Sequence, residues 1–308
     1  MLVRVRLILL AGVVACLATA CTATPAAAPT ANVKPGTAGA ATATTARPGG
    51  ATPSPSPTPK PKPRPPAPHV RIYRVRTSDG AVVTVAVFRG PVRYVLHNGS
   101  GDPGYAAAVA GVKAGPAVGG TERKHLLAAF NGGFKLGVGA GGYEQEGHVV
   151  SPLLKGDASL IIDRSGRARI GVWGDGAPAR GEAVYSVRQN LQPLVEHGKP
   201  ALAASDWYAW GATLGGGELV ARSALGQDSA GDLLYAGSMS ASPADLAQAL
   251  TAHGARIAME LDINPEWVQL DVASRPGGSL RAEVPGQYRP ANQYIDGWSR
   301  DFITVLAG

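Results

Sequence analysis

Two carboxylates separated by one residue are the strongest candidates for acid–base chemistry in this chain. Glu260 and Asp262 lie in the segment Arg256–Asp262, whose composition predicts a strand. Residues two apart on a strand point to the same face, with side-chain roots roughly 6 to 7 Å apart at a rise of about 3.3 Å per residue. Glycoside cleavage generally uses such a pair, one group as acid and the other as base or nucleophile. Repulsion between them would raise the pKa of one.

Each of these carboxylates also has a plainer interpretation. Glu260 could lie on the solvent face of the strand while its neighbours pack inward. Asp262 is the stronger candidate because it ends the strand. Glu266 is a third candidate, and the adjacent Trp267 could stack on a sugar or belong to the core.

The segment Ala128–Phe134 ends an apolar strand on an amide and two glycines. Asn131 could donate to a sugar hydroxyl or a phosphate oxygen, and the N–H groups of Gly132 and Gly133 could form a small anion site beside it. Lys135 follows directly as a candidate cation, or as an ordinary solvated lysine. The alternative for the whole element is a tight turn, because Asn-Gly is a common hairpin signal.

Four segments in this order resemble the phosphodiester glycosidase family, the domain of the enzyme that uncovers mannose 6-phosphate by removing N-acetylglucosamine. The resemblance covers roughly residues 125 to 306 and includes a terminal strand. The segments that carry it are Asn131–Phe134, Gln189–Val195 with Gly198, Ala221–Asp228 and Ala258–Asp262, followed by the strand Asp301–Val305.

The resemblance implies a hydrolase that cleaves a sugar from a phosphodiester, with Asp262 at the position of the family's aspartate. Arg222 matches the arginine of the family's Arg-Thr-Ala-Leu-Gly segment, where a planar guanidinium would hold a phosphate oxygen. A structural ion pair with an acidic neighbour is its alternative. The chain departs from the family after Asp262, where Ile263–Trp267 replaces a loop rich in glycine and serine. Asn264 in this variant loop is a candidate substrate contact.

Other polar groups and motifs complete the predicted site. Gln189 and Asn190 stand at a strand end before Pro193, where they could contact a glycan or cap a loop. The glycine-dense segment 137–142 is interpreted as a flexible flap. The six histidines lack metal-ligand spacing, and no nucleophile elbow or nucleotide-type glycine loop is present, so neither a metal nor a cofactor is predicted.

The first 69 residues predict an exported protein. Residues 1–21 resemble a signal peptide with a lipobox-like end at Cys21, although the leucine sits one place further out than usual, and ordinary signal cleavage is the alternative. The only other cysteine, Cys16, lies inside this segment. Residues 22–69 are rich in Ala, Thr and Pro, which predicts a disordered tether. We therefore expect an extracytoplasmic domain anchored to the membrane by lipid.

The net charge of +7 does not indicate a nucleic-acid partner. Seven basic residues lie in the signal and the tether, and they account for the whole excess because residues 70–308 hold 22 basic and 22 acidic side chains. A domain without net charge does not attract a polyanionic duplex.

Residues 70–308 are predicted to form one α+β domain with a mixed, mainly antiparallel sheet, few flanking helices and long glycine-rich loops. Three hairpins carry this prediction: Val70–Thr77 with Ala81–Phe88, Ser159–Asp163 with Ala168–Trp173, and Leu219–Leu225 with Asp232–Gly237. One helix is predicted over Pro243–His253, with Ser242 as N-cap and Gly254 as its stop.

The sequence thus predicts an exported envelope hydrolase acting on a sugar-1-phosphodiester in a glycan or wall polymer. A carbohydrate-binding lipoprotein without turnover on the same scaffold is the alternative. A metal-dependent phosphodiesterase is disfavoured, since no cluster of metal ligands is visible in the sequence.

Overall fold

The computed structural model describes residues 69–213 and 215–308. The predictions for the signal peptide, for Cys21 and for nearly all of the tether lie outside these residues. Within them the chain consists mainly of antiparallel strands with four short helices, which confirms the predicted α+β class. The strands divide into three sheets rather than one.

Residues 69–213 and 215–308 form eighteen strands and four α-helices. The strands are β1 (Val70–Arg76), β2 (Val82–Phe88), β3 (Val92–His97), β4 (Leu126–Asn131), β5 (Tyr143–Gln145), β6 (His148–Ser151), β7 (Ala158–Ile162), β8 (Ala168–Trp173), β9 (Gly176–Ala177), β10 (Ser186–Gln189), β11 (Pro193–Glu196), β12 (Lys199–Pro200), β13 (Val220–Asp228), β14 (Leu233–Ala241), β15 (Ala255–Glu260), β16 (Leu270–Ala273), β17 (Leu280–Ala282) and β18 (Phe302–Ala307). The helices are α1 (Gly104–Ala110), α2 (Gly120–His125), α3 (Pro243–Ala252) and α4 (Gln293–Asp296).

The strand order shows how distant parts of the chain are joined. The largest sheet has the order β1-β2-β14-β13-β15-β11-β12, the second β6-β5-β10-β7-β8-β9, and the third β17-β16-β4-β18-β3. Every neighbouring pair is antiparallel except β8 and β9, so the sheets are mixed but mainly antiparallel as predicted.

The three predicted hairpins are confirmed as β1–β2, β7–β8 and β13–β14. The third pair is longer than predicted and reaches Asp228 on one strand and Ala241 on the other. The added residues pair with neighbouring strands of the largest sheet. Pairing between distant segments therefore extends these strands beyond the ends that the sequence predicts.

The predicted helix is α3, which ends at Ala252 with His253 as C-cap. Ser242 caps it through a reciprocal capping box with Asp245, in which each side chain accepts from the other residue's backbone N–H at 3.1 and 2.8 Å. Its apolar face is buried against the largest sheet. The helix connects β14 to β15, which are parallel and lie on either side of β13.

Strand ends from all three sheets meet at one place. The β4 end reaches β13 through the Asn131 amide, which donates to Ser223 Oγ at 2.8 Å. The β10 end reaches the β15 end through Asn190, whose amide donates to the Leu261 carbonyl at 2.9 Å. Polar groups at strand ends are therefore brought together by long-range pairing.

Within the described residues, no helix is long and apolar enough to cross a membrane.

Candidate active site

A pocket of about 390 Å³ opens where these strand ends meet. Its walls are largely apolar. They include Phe134, Leu191, Ile263 and Trp267. Its polar side chains are Lys135, Asp262 and Asn264, so three of the predicted site residues share one cavity.

Asp262 is a buried carboxyl on the wall of this pocket, with 3% of its surface exposed. Because β15 ends at Glu260, Asp262 lies beyond the strand, where its Oδ1 accepts from the Asn264 N–H at 2.9 Å. Burial raises the pKa of Asp262 to about 7, and the positive charge of Arg300 and the backbone donors oppose this rise. A carboxyl with this pKa exchanges protons near neutral pH, as general acids and bases do.

Arg300 supports Asp262, and the sequence did not predict it as a site residue. Its guanidinium lies 3.6 Å from Asp262 Oδ2 and 2.9 Å from Asp102 Oδ2. It also donates to the Gly133 carbonyl at 2.8 Å and lies over the Trp267 ring, 4.3 Å from the centroid. One buried arginine thus holds the carboxyl, the Gly-Gly turn and the pocket tryptophan together. Its only sequence signal was its position just before the terminal strand.

Replacing Arg300 with glutamine should raise the pKa of Asp262 above that of the wild type, because the nearby positive charge favours the carboxylate. The carboxyl carbon of Asp262, followed by NMR during a pH titration, measures this directly. Arg289→Gln is the matched control, since Arg289 pairs with Glu266 outside the pocket lining. An unchanged titration in Arg300→Gln would show that Arg300 does not act on Asp262.

Asn131 lies next to the pocket, but its side chain hydrogen-bonds to other parts of the protein. Its amide donates to the Gly132 carbonyl and to Ser223 Oγ, and its Oδ1 accepts from Tyr235 and from the Gln269 N–H. These four bonds use its full hydrogen-bonding capacity. The predicted contact of Asn131 with a substrate therefore finds no free donor or acceptor.

The two glycines approach a buried ion pair instead of a ligand. A Cβ on Gly132 would lie 1.9 Å from Asp301 Oδ2, and one on Gly133 would lie 3.0 Å from the Arg188 guanidinium carbon. Arg188 and Asp301 form a 2.7 Å ion pair with 1% of each side chain exposed. The Gly132 N–H already donates to the Asp301 carbonyl, which leaves the predicted anion site one donor short.

Gln189 and Asn190 are both fully buried. Their side chains bond to loop backbone, which agrees with the interpretation that they cap a loop. Gln189 Oε1 accepts from the N–H groups of Gly142 and Leu154, which fixes the loop that enters the pocket wall. Asn190 Oδ1 accepts from the Phe134 N–H at 3.0 Å. Neither Gln189 nor Asn190 belongs to the pocket lining, so neither amide is placed to contact a ligand there.

Arg222 and Glu260 form a fully buried ion pair at 2.8 Å. This is the structural alternative foreseen for Arg222, and it corrects the interpretation of Glu260 as a carboxylate on an exposed face. Burial raises the pKa of Glu260, and Arg222 opposes that rise. Neither side chain belongs to the pocket lining, so Glu260 does not provide the second carboxylate predicted beside Asp262.

The remaining predicted residues separate into two groups. Lys135 is exposed at the pocket, with its Nζ 5.2 Å from the centroid of the Trp267 ring. Asn264 is half-buried, and its Oδ1 accepts from the Glu266 N–H at 2.9 Å. Glu266 pairs with Arg289 and lies outside the pocket lining. Lys135 and Asn264 are therefore placed to contact a ligand, whereas Glu266 is not.

Across residues 69–213 and 215–308, no three histidine, cysteine or acidic side chains come together as a possible metal site. The Gly137–Gly142 segment lies at the pocket, where Val138, Gly139 and Ala140 form part of the wall. That this segment acts as a flap stays a prediction.

No known family model matches the sequence, and no curated protein matches it. Among solved structures, the chain is similar to the catalytic domain of zebrafish N-acetylglucosamine-1-phosphodiester alpha-N-acetylglucosaminidase, auto-inhibited by its pro-peptide. The identity is 12%, the TM-score 0.48, and the match covers 80% of this chain and 85% of that one.

Two bacterial structures are also similar. A Synechocystis protein shares 15% identity with a TM-score of 0.45, over 78% of this chain and 62% of its own. A protein from Burkholderia pseudomallei described as exported shares 14% identity with a TM-score of 0.27, over 78% and 58%. At such identities and TM-scores the likeness establishes neither the fold nor the function of this chain, and the function proposed below depends on the pocket.

Proposed function

We propose that this protein is a hydrolase that cleaves the bond between the anomeric carbon of a sugar and a phosphodiester. The observation that carries the proposal is a buried carboxyl, Asp262, with a pKa of about 7 in an apolar pocket that also presents a lysine. A titratable group matched to neutral pH, inside a cavity, is the usual mark of a catalytic site.

The pocket suits a sugar in size and surface. Its volume of about 390 Å³ lies within the range of small-molecule sites. Apolar side chains such as Phe134 and Leu191 can contact the C–H faces of a sugar ring, and the Asn264 side chain can bond to its hydroxyls. Lys135 provides a positive charge for a phosphate at the same cavity.

A phosphate leaving group explains how one carboxylate can suffice. Most glycosidases need an acid because a sugar hydroxyl leaves poorly as an anion, whereas a phosphomonoester is a stable anion. The bond between the anomeric carbon and the phosphate oxygen breaks, and a bond from that carbon to a water oxygen forms. Ionised Asp262 accepts the water proton directly, or after a covalent intermediate, and then releases it to solvent. Turnover should therefore rise as the pH rises through about 7.

Lys135→Ala should raise KM for a sugar-1-phosphodiester about tenfold with little change in kcat, since an exposed cation binds the phosphate of the substrate and of the transition state alike. Steady-state kinetics on a soluble substrate measure both constants. Lys124→Ala, a change of another exposed lysine outside the pocket lining, is the control. Wild-type kinetics in Lys135→Ala would remove the lysine from the site.

We further propose that the domain acts outside the cytoplasm on a glycan or wall polymer, tethered through acylated Cys21. Replacing Cys21 with serine should move the protein from the membrane fraction to the medium without changing the melting temperature of the domain. Fractionation followed by immunoblotting tests this. Membrane retention of Cys21→Ser equal to wild type would contradict the lipid anchor.

One observation favours a second candidate, a glycan-binding lipoprotein without turnover. Glu260 is sequestered by Arg222, so Asp262 is the one carboxylate among the described residues that line the pocket. Incubating the purified protein with a sugar-1-phosphodiester and, separately, with an aryl glycoside distinguishes the two. Sugar release from the first alone supports the hydrolase, and tight binding without release supports the binding protein.

A further inference from the structure

An exposed aromatic pair lies in the segment that leads into the pocket wall. The rings of Trp207 and Tyr208 stack with centroids 3.7 Å apart and an interplanar angle of 25°. Tyr208 is 74% exposed, whereas Trp207 is half-buried. Trp207 therefore supports one face of the tyrosine ring, and the rest of that ring is open to solvent.

The pair is held in place by its neighbours. Asp206 caps the short 3₁₀ turn by accepting from the Tyr208 N–H at 3.2 Å. Trp210 at the other end is fully buried, and its indole donates to the Ala203 carbonyl at 2.7 Å. An aromatic surface fixed in this way loses little conformational freedom on binding.

The same segment continues directly into the pocket. Gly211 and Ala212 belong to the pocket lining. Gly211 is also in close contact with the pocket phenylalanine, since a Cβ there would lie 2.8 Å from Phe134 Cε2. Only two residues separate Tyr208 from Gly211, so the Cα atoms of these residues lie at most about 11 Å apart.

The composition of this segment favours a neutral polyhydroxy ligand. Between residues 201 and 212 the one charged side chain is Asp206, so an anionic lipid surface or a nucleic acid finds no cluster of positive charge in this segment. Aromatic side chains combine an apolar ring with a polar tip, which matches the C–H faces and hydroxyls of a sugar.

We propose that Tyr208, supported by Trp207, is a secondary binding site for a glycan chain whose end occupies the pocket. The inference rests on the proposed function, because it takes the pocket to bind a sugar. It adds a polymeric substrate class, in which sugar units beyond the one in the pocket contribute to affinity through the aromatic pair.

The test measures binding of the full-length protein to insoluble peptidoglycan by sedimentation, and separately turnover of a small soluble sugar-1-phosphodiester. Tyr208→Ala should weaken peptidoglycan binding about five- to tenfold, while Tyr208→Phe, which keeps the ring, retains it. Tyr105→Ala is the control, because Tyr105 is 84% exposed and lies outside the pocket lining. Turnover of the small substrate should be unchanged in all three variants.

Peptidoglycan binding by Tyr208→Ala equal to wild type, or no binding by wild type, would overturn the proposal. Sedimentation with phosphatidylglycerol vesicles provides a further arm. Tyr208-dependent binding to vesicles in place of peptidoglycan would identify a lipid contact and also overturn it. Binding and turnover are separate readouts, so Tyr208-dependent glycan binding without any turnover would contradict the hydrolase and leave this site intact.

Discussion

Asp262→Asn should lower turnover of a sugar-1-phosphodiester by on the order of a hundredfold or more, without lowering the melting temperature. Asparagine matches the size of aspartate and can still accept from the Asn264 N–H, but it cannot ionise. The fold tolerates a neutral group there, because burial already disfavours the charged form of Asp262. Single-turnover kinetics and thermal unfolding provide the two measurements.

Stability against pH gives the same variant an independent readout. The folded-state pKa of Asp262 is about 7, well above the ordinary pKa of an aspartate in an unfolded chain, so the folded protein binds this proton more tightly than the unfolded chain. Its contribution is fully present below the unfolded pKa and is lost as the pH rises through about 7. Asp262→Asn should remove this loss from urea titrations taken across that window.

Asp232→Asn is the matched control for Asp262. Burial also raises the pKa of Asp232, but this carboxylate contacts Arg89 and lies outside the pocket lining. It should leave turnover unchanged. Full turnover by Asp262→Asn would remove this residue from the chemistry and favour the binding protein.

Arg222→Met should lower the free energy of unfolding by about 3 to 5 kcal/mol at neutral pH, because it leaves Glu260 buried without its partner. The loss should grow as the pH rises above about 8, because Arg222 lowers the pKa of Glu260, and without Arg222 the buried carboxyl resists ionisation to higher pH. Urea denaturation at several pH values measures it. This expectation replaces the predicted phosphate contact of Arg222, which the buried ion pair does not favour.

The double variant Arg222→Met with Glu260→Gln controls for lost packing. It should recover much of the stability, because no buried charge remains without a partner. If Arg222→Met folded as stably as wild type and yet lost turnover with a raised KM, the arginine would have a direct role in binding substrate.

Elements whose sequence signals lie within a few neighbouring residues were predicted correctly. The helix α3 depends on a cap, a proline and a stop within a few residues, and the three hairpins depend on short turns between apolar runs. Such signals say little about how strands from distant segments pair, which explains why one expected sheet is divided into three.

The candidate site shows the same division. Asp262 was found because it ends the predicted strand, and Lys135 because it follows the Asn-Gly-Gly-Phe turn; both line the pocket. The role of Asn131 could not be predicted, since its partners Ser223, Tyr235 and Gln269 come from three later segments. Arg300 was missed for the same reason, because its contacts with Asp262 and Trp267 exist only in the folded chain.

The position of the broken bond tests the central claim most directly. Hydrolysis of a sugar-1-phosphodiester in water enriched in oxygen-18, followed by mass spectrometry of both products, shows which atom water attacked. Cleavage at the anomeric carbon, assisted by ionised Asp262, places the label in the sugar hydroxyl and none in the phosphate, and Asp262→Asn should form the labelled sugar on the order of a hundredfold more slowly. Label in the phosphate would show attack at phosphorus and contradict the glycosidase.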